Sequence, residues 1–135
     1  MKPLIKYRGG KYKELTYICK HIPDYSGKYI EPFFGGGALF FHLEPKNAII
    51  NDINSKLISF YLGVKNNFDN LKNELNNIER IYTQNRKNFE EQKNKTPDKR
   101  VDDENEILYY QIRNMFNELI EKQYSDALLY FFINK

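Results

Sequence analysis

With 135 residues, the chain is long enough for one domain with a hydrophobic core and too short for two. A formal net charge of +3 is too mild to indicate a polyanion partner by itself, and the single cysteine, Cys19, excludes an internal disulfide. We expect a cytoplasmic protein without a membrane partner. Residues 1–11 contain no apolar secretion signal, and the longest apolar run, residues 127–133, is far shorter than the roughly 20 residues that cross a bilayer.

The first half of the chain alternates predicted helices and strands. Apolar residues recur at three- and four-residue spacing before Pro23, which predicts a helix over residues 12–22. The next predicted elements are a strand at Lys28–Pro32, a glycine-dense turn at Phe33–Gly37, a helix at Ala38–Leu43, a strand at Ala48–Ile50 and a helix at Ile53–Val64. This alternation favours a parallel α/β unit.

The second half is predicted to be helical. An apolar helical stripe runs from Phe68 to Tyr82, and the charged stretch Gln84–Asp103, which contains Pro97, is predicted to be a loop or a helix break. Two more helices are predicted at Ile107–Ile120 and Ser125–Ile133. The first of them has an apolar side made of Leu108, Ile112, Phe116 and Leu119.

The main chemical signal is the segment Ile30–Gly37, followed by Asp52 at the end of the next predicted strand. Glycines allow a tight turn and a close approach of the backbone to a ligand. An acidic residue at that place supplies acceptors for ribose hydroxyls, as in nucleoside sites at the carboxyl ends of parallel strands. Asp52 also precedes an apolar-periodic stretch, so capping of the next helix is an alternative role that can coexist with ribose binding.

Several ligand classes use such a turn. A phosphate-binding Walker loop needs lysine followed by serine or threonine after its last glycine, whereas this turn continues with Ala38 and Leu39. A dinucleotide site favours glycine or alanine where Phe40 stands, which disfavours NAD and FAD. A glycine-rich turn without a ligand remains an alternative, but the pairing with Glu31 and Asp52 favours a site.

Three blocks in this order resemble the Dam-type DNA adenine-N6 methyltransferases. The first is Lys6–Lys11, a lysine-aromatic-x-glycine-glycine-lysine segment with tyrosine where tryptophan is commonest. The second is Glu31–Gly37, a glutamate-proline-phenylalanine segment with spaced glycines, and the third is Asn51–Ser55, which contains the aspartate. The resemblance implies a partial Rossmann-like methyltransferase fold of class α/β. Two amino-terminal parallel strands with helices would be followed by a helical target-recognition region.

The resemblance also implies S-adenosylmethionine as cofactor, with no metal. Tyr7 would stack on it, Lys11 would contact it from the Gly-Gly turn, and Asp52 would hold the ribose. The expected cofactor-binding residues are Tyr7, Gly9, Gly10, Lys11, Glu31, Pro32, Phe33, Gly35, Gly37 and Asp52. They belong to an S-adenosylmethionine-binding part, residues 1–65.

Residues 66–135 would be similar to the start of the family's target-recognition region, with double-stranded DNA as partner. The residues expected to contact DNA are Lys95, Arg100, Asn134 and Lys135. A solvated mixed-charge face is an equal alternative for the basic residues, because acidic residues interleave with them.

One family motif has no counterpart here. Enzymes of this kind use an aspartate- or asparagine-proline-proline-aromatic tetrapeptide that accepts the amine hydrogens of the flipped adenine and stacks on it. The five prolines of the chain are all isolated. The expectation is therefore an amino-terminal fragment of an adenine methyltransferase, inactive alone and completed by a missing carboxyl-terminal half.

Two other functions remain open. A catalytically silent cofactor- or nucleic-acid-binding module would bind S-adenosylmethionine but transfer nothing until a partner chain is added. In a helical nucleic-acid or protein adaptor the glycine turn would be merely structural. Asp52→Ala would then leave any ligand binding unchanged.

Overall fold

The computed structural model describes residues 1–134. The chain forms two compact units, residues 1–58 with residue 134, and residues 59–133. The first unit contains both strands, and the second is helical. Among the residues described, no helix is both long and apolar enough to cross a membrane.

The first unit is built around a pair of parallel strands, as predicted. Strand β1 is Tyr29–Glu31 and strand β2 is Ala48–Ile50, with Ile30 opposite Ile49 in the register. The connection between them contains helix α2, Ala38–Leu43, also as predicted. The sequence-based expectation of a mixed α/β fold with two amino-terminal parallel strands is confirmed at this level.

The predicted helix over residues 12–22 is wrong in its form. The segment contains one α-helical turn, α1 (Leu15–Ile18), between 3₁₀ turns at Tyr12–Glu14 and Cys19–His21. Short helices commonly tighten into 3₁₀ geometry at their ends. The segment still stops before Pro23, because Ile22 is extended (φ −83°, ψ 118°), as residues before proline usually are.

Aromatic side chains pack beside α2 in the first unit. The ring centroid of Phe34 lies 5.6 Å from that of Phe40 and 6.2 Å from that of Phe41. Phe34 and Phe41 are both buried. These contacts fix the start of α2 against the glycine turn that precedes it.

Helix α3 is Ser55–Asn66, and its residues from 59 onward belong to the second unit. The rest of that unit consists mainly of α4 (Phe68–Lys95), α5 (Glu104–Phe116) and α6 (Asp126–Ile133). Helices α3 and α6 approach closely, since a Cβ atom added to Gly63 would lie 2.5 Å from the Cβ of Ala127. The Phe60 and Tyr130 rings stack at 5.8 Å. Ile112 of α5 is fully buried.

The predicted loop at Gln84–Asp103 is wrong over its first half. Helix α4 continues to Lys95, and the loop covers residues 96–103. Charged residues do not interrupt a helix when they pair along it, and Arg86 bonds Glu90 at 2.8 Å, four residues on. Leu119 is also misplaced by the sequence pattern, since α5 ends at Phe116 and Leu119 is 70% exposed.

Candidate functional site

In the glycine turn after β1, backbone N–H groups donate hydrogen bonds within the protein. Phe34 N–H donates to the Asn51 carbonyl at 2.9 Å, and Gly37 N–H donates to the Phe34 carbonyl at 2.8 Å. Gly35 N–H donates to Oδ2 of Asp52 at 2.7 Å. The turn is therefore bonded to itself and to the segment that follows β2, at the carboxyl ends of both strands.

Asp52 connects the two loops at this edge of the sheet. Its Oδ1 accepts the Asn54 N–H at 2.9 Å, and its Oδ2 accepts from Gly35. A carboxylate has about four acceptor positions, so positions remain for ligand hydroxyls. Asp52 is not the helix cap, because the residue whose side chain accepts a first-turn amide of α3 is Asn54, from Leu57 at 3.2 Å.

Tyr7 lies on the glycine turn, so the first and second sequence blocks meet in the fold. A Cβ atom on Gly36 would lie 2.9 Å from the Cβ of Tyr7, and one on Gly35 would lie 3.4 Å from its ring. Tyr7 opens a turn of its own, in which Gly10 N–H donates to its carbonyl at 3.0 Å and Gly9 has φ +75°. The close contact explains the glycine at residue 36, and the positive φ of +51° favours the glycine at residue 35.

Glu31, the last residue of β1, is held from two sides. Side chains alternate along a strand, so Tyr29 and Glu31 lie on the same face of β1. The Tyr29 hydroxyl donates to Oε2 of Glu31 at 2.8 Å, and the backbone N–H of Phe40 also bonds this carboxylate. Burial raises the pKa of Glu31, and the bonds from Tyr29 and Phe40 partly oppose that rise.

Large apolar side chains at this edge lie in solvent. Phe33 is 86% exposed and Ile53 is 97% exposed, and they follow β1 and β2 by two and three residues. Pro32 is also exposed. Sequence reasoning included Phe33 but placed Ile53 in a helix, whereas α3 begins at Ser55. The signal for Ile53 was its position directly after the acidic residue that ends the strand segment.

Lys11 pairs with a neighbouring residue in its own segment, not with the glycine turn. Its Nζ lies 3.6 Å from Oε1 of Glu14, and both side chains are well exposed. Exposed pairs of this kind contribute little to stability, so Lys11 is free to exchange Glu14 for another partner.

The residues expected to contact DNA lie in different segments of the chain. Lys95 ends α4, and Arg100 lies in the following loop with its Nε 4.0 Å from Oδ1 of Asp102. Asn134 is half-buried, and Lys135 lies outside the described residues. Sequence reasoning missed Arg113 of α5, whose guanidinium lies 4.6 Å from the ring centre of the part-exposed Tyr110.

The residues of this site lie in a segment of the chain that matches a known protein family. A family model for the D12 class N6 adenine-specific DNA methyltransferase matches residues 7–135. The chain belongs to this family. The resemblance drawn from the three sequence blocks is confirmed.

Three named relatives are similar to most of the chain. A Type II methyltransferase, M1.LlaDCHI of Lactococcus lactis subsp. cremoris, is 36% identical over 88% of the chain and 43% of its own length. M.MjaIII of Methanocaldococcus jannaschii is 35% identical over 87% of the chain and 39% of its length. The DNA adenine methylase of Salmonella typhi is 31% identical over 99% of the chain and 40% of its length. The chain thus spans about two fifths of these relatives.

Proposed function

We propose that this chain is the S-adenosylmethionine-binding portion of an enzyme that moves a methyl group to adenine N6 in DNA. The observation that supports it best is the pair of carboxylates, Glu31 and Asp52, at the carboxyl ends of the two parallel strands and bonded to amides around the glycine turn. Ligands of open α/β sheets bind at this edge. The Rossmann-like character of the complete sheet and the division at residues 65 and 66 belong to the same proposal.

The electrostatics of the turn favour a cation over a phosphate. Phosphate-binding turns present unpaired amides to the ligand. Here the amides of Gly35, Gly37 and Phe40 are bonded within the protein, two of them by carboxylates. Two negative side chains at the turn repel a pyrophosphate and attract a positive group. S-adenosylmethionine carries a sulfonium and an ammonium and no phosphate, and it supplies the methyl group when bound.

The remaining residues suit the nucleoside end of the cofactor. Asp52 keeps acceptor positions for ribose hydroxyls beyond the two that it uses for Gly35 and Asn54. Phe33 and Ile53 offer exposed apolar surface for a flat base, which a ligand would remove from water. Tyr7 packs against the turn at Gly36. Its proposed role in cofactor binding therefore includes shaping the turn.

Methyl transfer needs groups that this chain lacks, since no proline pair is present for the adenine-binding tetrapeptide. We place the tetrapeptide in a carboxyl-terminal part, because the relatives named above extend to more than twice the matched length. The face of the strand pair that carries Ile30 (62% exposed) and Ile49 (49% exposed) supports this, because parallel sheets are normally covered on both faces. The chain alone is then inactive.

We assign contact with DNA to the helical second unit and to residues 134 and 135. Lys95 and Arg100 would meet phosphates, as would Asn134 and Lys135 near the chain end. Arg100 has only a marginal and exposed pairing with Asp102, so a phosphate can replace that partner at small cost. The stacked pair of Arg113 and Tyr110 adds a cation and an aromatic face on α5.

The test is calorimetric titration of the chain with S-adenosylmethionine, its demethylated product S-adenosylhomocysteine, and ADP. We expect binding of the two adenosyl compounds and none of ADP. Asp52→Asn keeps the shape but turns one acceptor into a donor that faces an N–H, so affinity falls by about tenfold or more. Asp24→Asn, at an exposed carboxylate of the same unit, is the matched control and leaves affinity unchanged. Equal binding of ADP would contradict the assignment.

A second candidate is a cofactor-binding module that acts only with a partner chain. The absence of a proline pair from the sequence favours it. It predicts S-adenosylmethionine binding by the chain alone, and incorporation of labelled methyl groups into adenine only after the complementary polypeptide is added.

A further inference from the structure

Tyr29 is placed to control the carboxylate of Glu31. Its hydroxyl donates to Oε2 at 2.8 Å from two residues away on the same strand. Its ring also lies 6.4 Å from that of Phe40, the residue whose backbone amide bonds the same carboxylate. One tyrosine therefore contacts both the carboxylate and the residue on α2 that holds its other side.

A glutamate held in this way loses little conformational entropy when it binds a ligand. A free glutamate side chain has three rotatable bonds, and fixing it costs up to about 2 kcal/mol of conformational entropy. Here the hydroxyl of Tyr29 and the amide of Phe40 fix the carboxylate before any ligand arrives. No described residue forms a salt bridge with Glu31, so its carboxyl group is available to a cation.

We propose that Tyr29 is a positioning residue, which orients the Glu31 carboxylate that meets a cationic group of S-adenosylmethionine. This inference rests on the proposed function, because the cation is that of the cofactor. The group recognised is a sulfonium or an ammonium. The two are distinguished by the ligands tested, since S-adenosylhomocysteine keeps the ammonium and lacks the sulfonium.

The charge state of Glu31 gives the inference a direct readout. Burial raises the pKa of Glu31, and the bond from Tyr29 opposes the rise, so removing the hydroxyl moves the pKa further upward. The groups acting on Glu31 are Tyr29 from β1 and the Phe40 amide from α2, while Tyr25 acts on Tyr29. Strand β2 places Ile50, which does not titrate, opposite Glu31.

The decisive variant is Tyr29→Phe, which keeps the ring against Phe40 and removes only the hydroxyl. The matched control is Tyr25→Phe, because the Tyr25 ring lies 6.5 Å from that of Tyr29 and makes no hydrogen bond to Glu31 among those found. Two measurements are made on each full chain. The first is the pKa of Glu31 from carbon NMR of labelled glutamate without ligand. The second is calorimetric affinity for S-adenosylmethionine and S-adenosylhomocysteine across pH.

In Tyr29→Phe we expect a higher Glu31 pKa, an affinity about tenfold weaker at neutral pH, and loss of binding at a higher pH than in the unaltered chain. Tyr25→Phe changes none of these. Weakening for S-adenosylmethionine alone identifies the sulfonium as the recognised group, and weakening for both ligands identifies the ammonium.

Two results overturn the inference while leaving the proposed function intact. One is an unchanged Glu31 pKa in Tyr29→Phe. The other is a raised pKa with affinity equal to that of the unaltered chain at every pH, which would make the contact purely structural. Absence of binding by the unaltered chain overturns the proposed function itself, and this inference with it.

Discussion

Gly37 is the residue of the turn that tolerates a side chain least. It has φ +67°, and a Cβ atom there would lie 2.3 Å from Cζ of Phe34. That ring is 2% exposed and packs edge-on against Phe40 at 5.6 Å, so it has little room to retreat. Gly37→Ala therefore combines backbone strain with overpacking, at the point where the turn enters α2.

The two effects have separable magnitudes. A left-handed conformation costs an L-residue about 1–2 kcal/mol. Overpacking of a buried site costs about 1–3 kcal/mol, and the stiffer unfolded chain returns about 0.4–1 kcal/mol. The expected net loss for Gly37→Ala is therefore about 1–5 kcal/mol. Gly9→Ala shares the positive φ (+75°) but has nothing within 4 Å of the added Cβ, so its loss should stay near about 1 kcal/mol.

The assay is native-state hydrogen exchange, read by mass spectrometry on peptides that cover β1, α2 and β2. Circular dichroism is unsuitable, because the helices of residues 59–133 dominate its signal. Opening free energies in these peptides should fall about 1–3 kcal/mol further in Gly37→Ala than in Gly9→Ala. Equal losses would mean that the Phe34 contact contributes nothing, and no loss in either variant would refute the strain argument.

Two further predictions concern part-buried carboxylates. The raised pKa of Glu31 means that the folded first unit binds its proton more readily than the unfolded chain, so stability rises as pH falls from the raised pKa to the ordinary value of 4.5. Glu31→Gln should remove that rise in urea unfolding measured at several pH values. In the second unit, Glu74 accepts both the N–H and the hydroxyl of Ser125 before α6. Glu74→Ala should cost about 1–3 kcal/mol in urea unfolding, whereas Glu79→Ala, at an exposed position of the same helix, should cost little. Equal costs would mean that the hydrogen bonds from Ser125 to Glu74 add no stability.

The sequence predicts the strand–turn–helix–strand segment of the first unit correctly because local rules decide it. Glycines mark the turn, and short runs that contain isoleucine and tyrosine mark the strands. The end of α4 could not be predicted in this way. Its charged carboxyl-terminal turns look like a loop in composition, but they are rich in Lys, Arg, Glu and Gln, which favour helices, and exposed pairs such as Arg86 with Glu90 add a little stability.

The candidate site, like the fold, could be predicted from the sequence only in part. The residue types of the glycine turn and of Asp52 follow from the sequence, but their bond, between Gly35 N–H and a carboxylate 17 residues later, depends on the parallel register of β1 and β2. The contribution of Tyr29 was also invisible, because a tyrosine in a strand is an ordinary apolar choice. Its meaning comes from the alternation that puts it beside Glu31 on the face toward α2.

The internal bonding of the turn explains how the same glycine-rich geometry serves a different ligand from the phosphate loops. In a phosphate loop the amides wait for the ligand, so the empty site leaves donors unpaired. Here Asp52 and Glu31 occupy amides that a phosphate would use, which leaves a preformed turn whose outward chemistry is negative. The glycines are still required, because Tyr7 and Phe34 approach the backbone where side chains would stand. Glycine content alone therefore does not select the ligand, and the carboxylates that bond the turn do.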